Sequence, residues 1–194
     1  MTTLIDQIQT VAKSRASATA MSTGSDSISF EEMINRRDAI VSILGDKFPS
    51  HAIAIVAIKN RTELSTIILA LWKLGVSVAL ASPKYSQSET SAILAGLSPD
   101  IVISDSPESF GNRSSGYTFT ADTIVPGISI GYPSQHRNRQ TDGAEWYPII
   151  KLTSGSTGIP KAVALTESNL LAEAETIQKT LEVTESDTIL APVP

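Results

Sequence analysis

Three short apolar runs without polar alternation, each separated from the next by a stretch of helical period, constrain this chain more than any other feature. Ala52-Ile-Ala-Ile-Val-Ala-Ile58 is the strongest, followed by Val76-Ser-Val-Ala-Leu80 and Ile101-Val-Ile103. A strand with one wet face alternates apolar and polar residues, whereas a strand covered on both faces reads as a continuous apolar run. The intervening segments carry helix-start chemistry. Ser29, Asn60 and Ser86 each stand three residues before a glutamate, Glu32, Glu63 and Glu89. In that spacing the first side chain accepts an orphan N–H of the opening turn and the Glu reaches back to the cap. Apolar residues follow at helical spacing: Phe30, Met33, Ile34, Val41 and Leu44, then Leu64, Ile67, Ile68 and Leu71, then Ile93, Leu94 and Leu97. Arg37 interrupts the first stripe, so that helix is expected to pack on one side only. Gly45 and Gly75 stand where a left-handed residue ends a helix without a Cβ penalty.

Strand, helix, strand, helix, strand is a βαβ series with right-handed crossovers. Residues 27–104 therefore read as an α/β unit: a layered, doubly wound, mostly parallel sheet with flanking helices. Residues 105–146 read as a loop-rich connection, with Gly, Ser, Asn, Pro and Arg in quantity and at most a short strand at Tyr117–Thr120. Order returns at Tyr147. Pro148–Thr153 reads as a strand, Ala162–Thr166 as a second strand, and 167–181 as a helix with Leu170, Leu171, Ala174, Ile177 and Leu181 on one face. The final stretch, Thr188-Ile-Leu-Ala-Pro-Val-Pro194, is apolar and strand-like, and such a run lacking partners suggests a piece of a longer chain.

Composition narrows the function classes. There are no cysteines, which removes thiolate catalysis, thiolate metal sites and disulfides. Net charge is −5 with no cluster of Lys and Arg, which argues against nucleic acid or an anionic membrane as the main partner. No apolar run reaches the ~20 residues needed to span a bilayer, and the first residues lack a secretory pattern, so the default location is cytoplasmic. His51 and His136, far apart and without a nearby second ligand or nucleophile, read as solvated loop residues.

The chemistry-bearing segment is Thr153-Ser-Gly-Ser-Thr-Gly-Ile-Pro-Lys161. Thr153, Ser154, Ser156 and Thr157 crowd hydroxyls around Gly155 and Gly158, which let the backbone take positive φ and approach a ligand. Successive amides in such a turn can form an anion-binding concavity, and Lys161 adds a mobile point charge. The loop is not a Walker A motif, because Pro160 breaks that spacing and a strand, not a helix, follows Lys161. Without a helix dipole, the positive potential must come from amides, hydroxyls and Lys161. By composition alone, the same residues also describe a surface hairpin that binds nothing.

The ordered string resembles the signature loop of the adenylate-forming enzymes: acyl- and aryl-CoA synthetases, peptide synthetase adenylation domains and luciferases. Nine consecutive positions match with Ile159 free, although Ala162 stands where the family usually has Gly. Leu69–Pro83 resembles the family's helix–Gly–strand–Pro segment, Ile28-Ser-Phe-Glu-Glu-Met33 its early conserved stretch, and Thr166-Glu-Ser-Asn-Leu170 the helix start after the loop. The resemblance covers most of residues 27–194.

What the resemblance implies is a chain comprising residues 1–194 of the amino-terminal portion of an AMP-binding (adenylation) domain, with the remainder of the enzyme absent. It implies a ligase that uses ATP and Mg2+ to activate a carboxylic acid as an acyl-adenylate, then forms a thioester with coenzyme A or a phosphopantetheinyl carrier protein. Thr153, Ser154, Gly155, Ser156, Thr157, Gly158 and Lys161 would hold the β- and γ-phosphates. No catalytic or metal-binding residue is assigned within this chain, which is expected to be inactive alone. The closing Ser186–Pro194 segment looks more like an acyl- or aryl-acid ligase than a peptide synthetase adenylation domain. A peptide synthetase adenylation domain, a non-catalytic nucleotide-binding module and a plain α/β scaffold stand as alternatives. The missing Gly-x-Gly-x-x-Gly after a strand weighs against a dinucleotide-binding fold.

Overall fold

A computed structural model describes residues 3–24, 26–45, 48–49, 51–59, 62–82, 84–110, 116–135, 145–153 and 161–190 of the chain, without the side chains of 121–124. It begins with a helix not anticipated from the sequence, α1 (Leu4–Ser14), followed by a two-stranded antiparallel hairpin, β1 (Thr19–Thr23) and β2 (Asp26–Ser29). The anticipated series then runs α2 (Phe30–Leu44), β3 (Ile53–Ala57), α3 (Thr62–Lys73), β4 (Ser77–Leu80), α4 (Gln87–Leu97) and β5 (Ile101–Ser104).

Residues 105–146, expected to be loop-rich, contain more order than their composition suggested. Β-structure there comprises β6 (Tyr117–Val125), which extends the expected short strand, and β7 (Ile128–Pro133). They form an antiparallel hairpin that joins the main sheet through β5, with register irregularities between Thr120 and Val125. The elements β8 (Ile149–Thr153), β9 (Lys161–Leu165) and α5 (Glu167–Thr180) complete the chain, β9 starting one residue earlier than expected. Residues 188–190, expected to continue as a strand, carry no regular structure, and Ile189 and Leu190 are exposed.

The main sheet has seven strands in the order β6-β7-β5-β3-β4-β8-β9. Its four central strands, β5, β3, β4 and β8, are parallel, and an antiparallel hairpin closes each side. Alternate residues of each buried strand serve opposite layers, as period-2 geometry requires. Ala54, Val56, Val78, Ile101 and Ile103 pack with Ile40 and Leu44 of α2 and Ile67, Ala70 and Leu71 of α3. Ile55, Ala57, Ala79 and Val102 pack on the other face with Ile93 and Leu94 of α4 and with Phe110. This two-sided cover is the physical reason why the central runs do not alternate.

The caps act locally as their chemistry dictates. Ser86 and Glu89 form a reciprocal capping box, while Ser29 accepts the Glu32 N–H without a return bond. Asn60 lies outside the described residues. Gly45 and Gly75 both have positive φ. After α3, the Gly75 N–H donates to the Trp72 carbonyl and the Val76 N–H to the Leu71 carbonyl, each at 2.9 Å, which is the double bond of a Schellman ending.

The buried residues of α2 form one stripe, as expected, but Arg37 belongs to that stripe rather than interrupting it. It lies on the buried stripe with Met33, Ile40 and Leu44 and is only 2% exposed. Its stem is packed while Nε and Nη2 each reach Asp38 Oδ1 at 2.9 Å, and Lys73 Nζ of α3 meets the same oxygen at 2.9 Å. A long cationic side chain can thus fill a core position if its head finds a carboxylate.

Candidate functional site: the hairpin at the carboxyl edge of the sheet

The placement of the chemistry-bearing loop follows from strand pairing. β8 runs parallel to β4, with Val78 opposite Ile149 and Leu80 opposite Lys151. Its start is pinned: Trp72 Nε1 donates to the Pro148 carbonyl at 2.7 Å, and the Tyr147 N–H donates to Ser77 Oγ at 3.1 Å. Its end, Thr153, therefore emerges at the edge where β3, β4 and β5 also terminate. In open α/β sheets that carboxyl edge is where ligands bind.

β9 returns antiparallel, pairing Lys161 with Thr153 and Leu165 with Ile149. The expected strand–loop–strand setting is thus present, and the ladder brings the two ends of the loop together. Thr153 Oγ1 donates to the Lys161 carbonyl oxygen at 3.3 Å. Lys161 is exposed and forms no ion pair among the described residues. Ser154, Gly155, Ser156, Thr157 and Gly158 lie outside the described residues. Of the seven site residues read from the sequence, Thr153 and Lys161 are the two whose placement is on the page.

The helix after β9 opens with a capping box that sequence reading missed. Thr166 accepts the Asn169 N–H, and Asn169 Oδ1 accepts from the Thr166 N–H at 3.0 Å. The signal was present as Thr-x-x-Asn, with an amide in place of the usual Glu. The same applies to Thr3 and Asp6 at the start of α1. Hydrogen bonds from Thr3 hold the Asp6 carboxyl below its usual range, as those from Ser86 do for Glu89.

A separate cavity of about 310 Å³ lies between α1 and α2, where Gln9, Lys13, Glu31, Ile34 and Asn35 contribute to its wall. It contains neither Thr153 nor Lys161. The hairpin is the stronger candidate, because it lies at the carboxyl edge of the parallel strands and carries an exposed lysine that forms no ion pair among the described residues. His51 is half-buried in a turn with φ 61°, and His136 lies outside the described residues. No group of three or more His, Asp or Glu among the described residues could hold a metal ion. No helix among the described residues is long and apolar enough to cross a membrane.

Comparison with known proteins establishes the family and the fold. The profile of the AMP-binding enzyme family matches residues 8–194, and the chain belongs to that family. It is 27% identical over 192 residues to equisetin synthetase eqxS of Fusarium heterosporum, covering 97% of this chain and 5% of that protein. It is 29% identical over 175 residues to 4-coumarate--CoA ligase-like 9 of Arabidopsis thaliana, covering 83% of this chain and 30% of that protein. Among solved structures, O-succinylbenzoate coenzyme A synthetase (MenE) of Bacillus subtilis in complex with AMP superposes with TM-score 0.70 at 19% identity, covering 93% of this chain and 47% of that one. VinN superposes with TM-score 0.74 at 18% identity, covering 95% and 48%. The chain thus spans about half the length of these structural relatives, and the structural likeness establishes the shared α/β fold.

Proposed function

We propose that residues 1–194 form the amino-terminal portion of an adenylation domain, in an enzyme that uses ATP to activate a carboxylic acid. One carboxylate oxygen of the substrate attacks the α-phosphorus, the bond from that phosphorus to the bridging oxygen breaks, and pyrophosphate leaves with the electron pair. The observation that carries this reading is the Thr153–Lys161 pair at the carboxyl edge of the parallel strands, with an exposed lysine that forms no ion pair among the described residues beside a Ser/Gly/Thr-rich stretch of sequence. In this role Thr153, Ser154, Gly155, Ser156, Thr157, Gly158 and Lys161 orient the β- and γ-phosphates and neutralise charge as pyrophosphate departs. Such catalysis is mostly positioning and electrostatic stabilisation. Mg2+ bound with ATP would supply further neutralisation of the charge that develops on the leaving pyrophosphate.

The acyl group then passes to a thiol, as in an acyl- or aryl-acid ligase. The acceptor is coenzyme A or a phosphopantetheinyl carrier protein, and the sequence relatives include a protein named as a CoA ligase and several named as hybrid or peptide synthetases. A cytoplasmic location fits such a reaction. The test is pyrophosphate release by the intact enzyme across a panel of aliphatic, aromatic and amino acids, each with ATP. Acid-dependent release supports the proposal, and ATP binding with no acid-dependent release across the panel would point instead to a non-catalytic nucleotide-binding module. Coenzyme A and a carrier protein, added separately, then distinguish the acceptor.

A further inference from the structure

Two hydrogen bonds tie the first helix to the last. At the opening turn of α1, the Leu4 N–H donates to Glu167 Oε1. Just past its end, Arg15 Nη1 donates to the Glu185 carbonyl at 3.2 Å. The first contact joins the start of α1 to the start of α5, and the second joins the residue after α1 to the segment that follows α5.

Glu167 has a double position. It lies in the first turn of α5, and its carboxylate also meets the first turn of α1. Both helix starts present unsatisfied N–H groups and partial positive charge, so one anion serves two helix termini. Among the described residues, little else holds this arm. No residue of α5 is buried, and Lys161 to Ala164 of β9 are exposed. On one side the β8–β9 ladder secures the arm, and on the other the α1 contacts do.

We propose that α1 is a brace for the β9–α5 arm and that Glu167 is a positioning residue for Lys161, which lies on the strand leading into α5. The brace is a structural statement, while its consequence for phosphate rests on the function proposed above. Hydrogen exchange on the full chain tests the brace without that assumption. In Glu167→Ala, amides of β9 and α5 should exchange roughly tenfold faster, the scale of one lost charge-assisted hydrogen bond, while β3 and β5 keep their wild-type rates. Glu167→Gln retains an acceptor oxygen and should restore most of the protection. Arg15→Ala, which removes the other contact, should speed exchange toward the end of α5. Unchanged rates in β9 and α5, or a uniform rise that includes β3 and β5, would overturn the brace. As a positioning readout, Glu167→Ala should weaken pyrophosphate binding several-fold, with recovery in Glu167→Gln. Equal pyrophosphate affinity in wild type and Glu167→Ala would overturn the link to Lys161. A wild-type chain that ignores pyrophosphate would remove the proposed function, with the brace then decided by the exchange rates.

Discussion

Thr153 and Lys161 face each other as the closing pair of the β8–β9 ladder, with the threonine hydroxyl donating to the lysine carbonyl at 3.3 Å. The backbone pairing fixes the root of the lysine while its side chain stays exposed and without an ion-pair partner among the described residues. Lys161→Ala should therefore leave the fold intact and lower ATP–pyrophosphate exchange by the intact enzyme by about 10²-fold, the scale found when one preorganised charge-stabilising group is removed. Lys161→Arg keeps the charge but not its compact geometry and should fall between the two. Exchange kinetics alongside circular dichroism check both statements.

Asp38 sets a pH dependence of stability. The Arg37 guanidinium hydrogen bond, helped by Lys73, outweighs partial desolvation and holds its carboxyl below the usual value of 3.8. A carboxyl whose folded pKa is depressed stabilises the fold above its unfolded pKa, and that contribution is lost as pH falls through the folded value. Urea midpoints should thus decline below about pH 4. Asp38→Asn should be less stable at neutral pH and show a smaller acid-side decline. Some decline must remain, because Asp6, Glu89 and Asp187 also have lowered values through hydrogen bonds.

Core and edge should respond differently to truncation. Ile55 is at 0% exposure in the central strand β3, whereas Val163 of β9 is at 47%. Ile55→Ala should destabilise by about 2–5 kcal/mol through lost transfer energy and the cavity left behind. Val163→Ala should change stability by less than about 0.5 kcal/mol, as is usual for surface positions. Chemical denaturation of the two variants provides the comparison.

Gly131 is required by a neighbour. It pairs directly with Phe119 across the β6–β7 hairpin, and a Cβ there would meet the ring at 2.8 Å. Gly131→Ala should cost about 1–3 kcal/mol by overpacking. Adding Phe119→Leu should recover part of the loss, which a double-mutant denaturation cycle measures.

The buried centre of this fold was legible because its pattern has one physical explanation. Runs such as Ile53–Ala57 and Ile101–Ser104 are apolar on both faces, and each is covered on both. The glycine stops at Gly45 and Gly75 were readable because a left-handed ending favours glycine. The β6–β7 hairpin was legible only as a short strand at Tyr117–Thr120. Its strands carry Thr, Ser and Gly, and their order comes from pairing with β5 and from partners such as Phe119 over Gly131. Arg37 misled because residue type speaks for the charged head, while burial was decided by the stem and by Asp38 alongside. At the site, the order of residues 153–161 carries the family resemblance, and the phosphate role read from it is the proposal made above. The pairing that brings Thr153 to Lys161, and the parallel alignment of β8 with β4, were properties of the assembled sheet.

The most direct test of the phosphate cradle is a titration of this 194-residue chain with pyrophosphate, followed by backbone amide chemical shifts. Saturable shifts centred on residues 153–161 in the millimolar range, and their loss in Lys161→Ala, are the expected result. Shifts that are absent, scattered over the surface, or unchanged by Lys161→Ala would contradict the assignment.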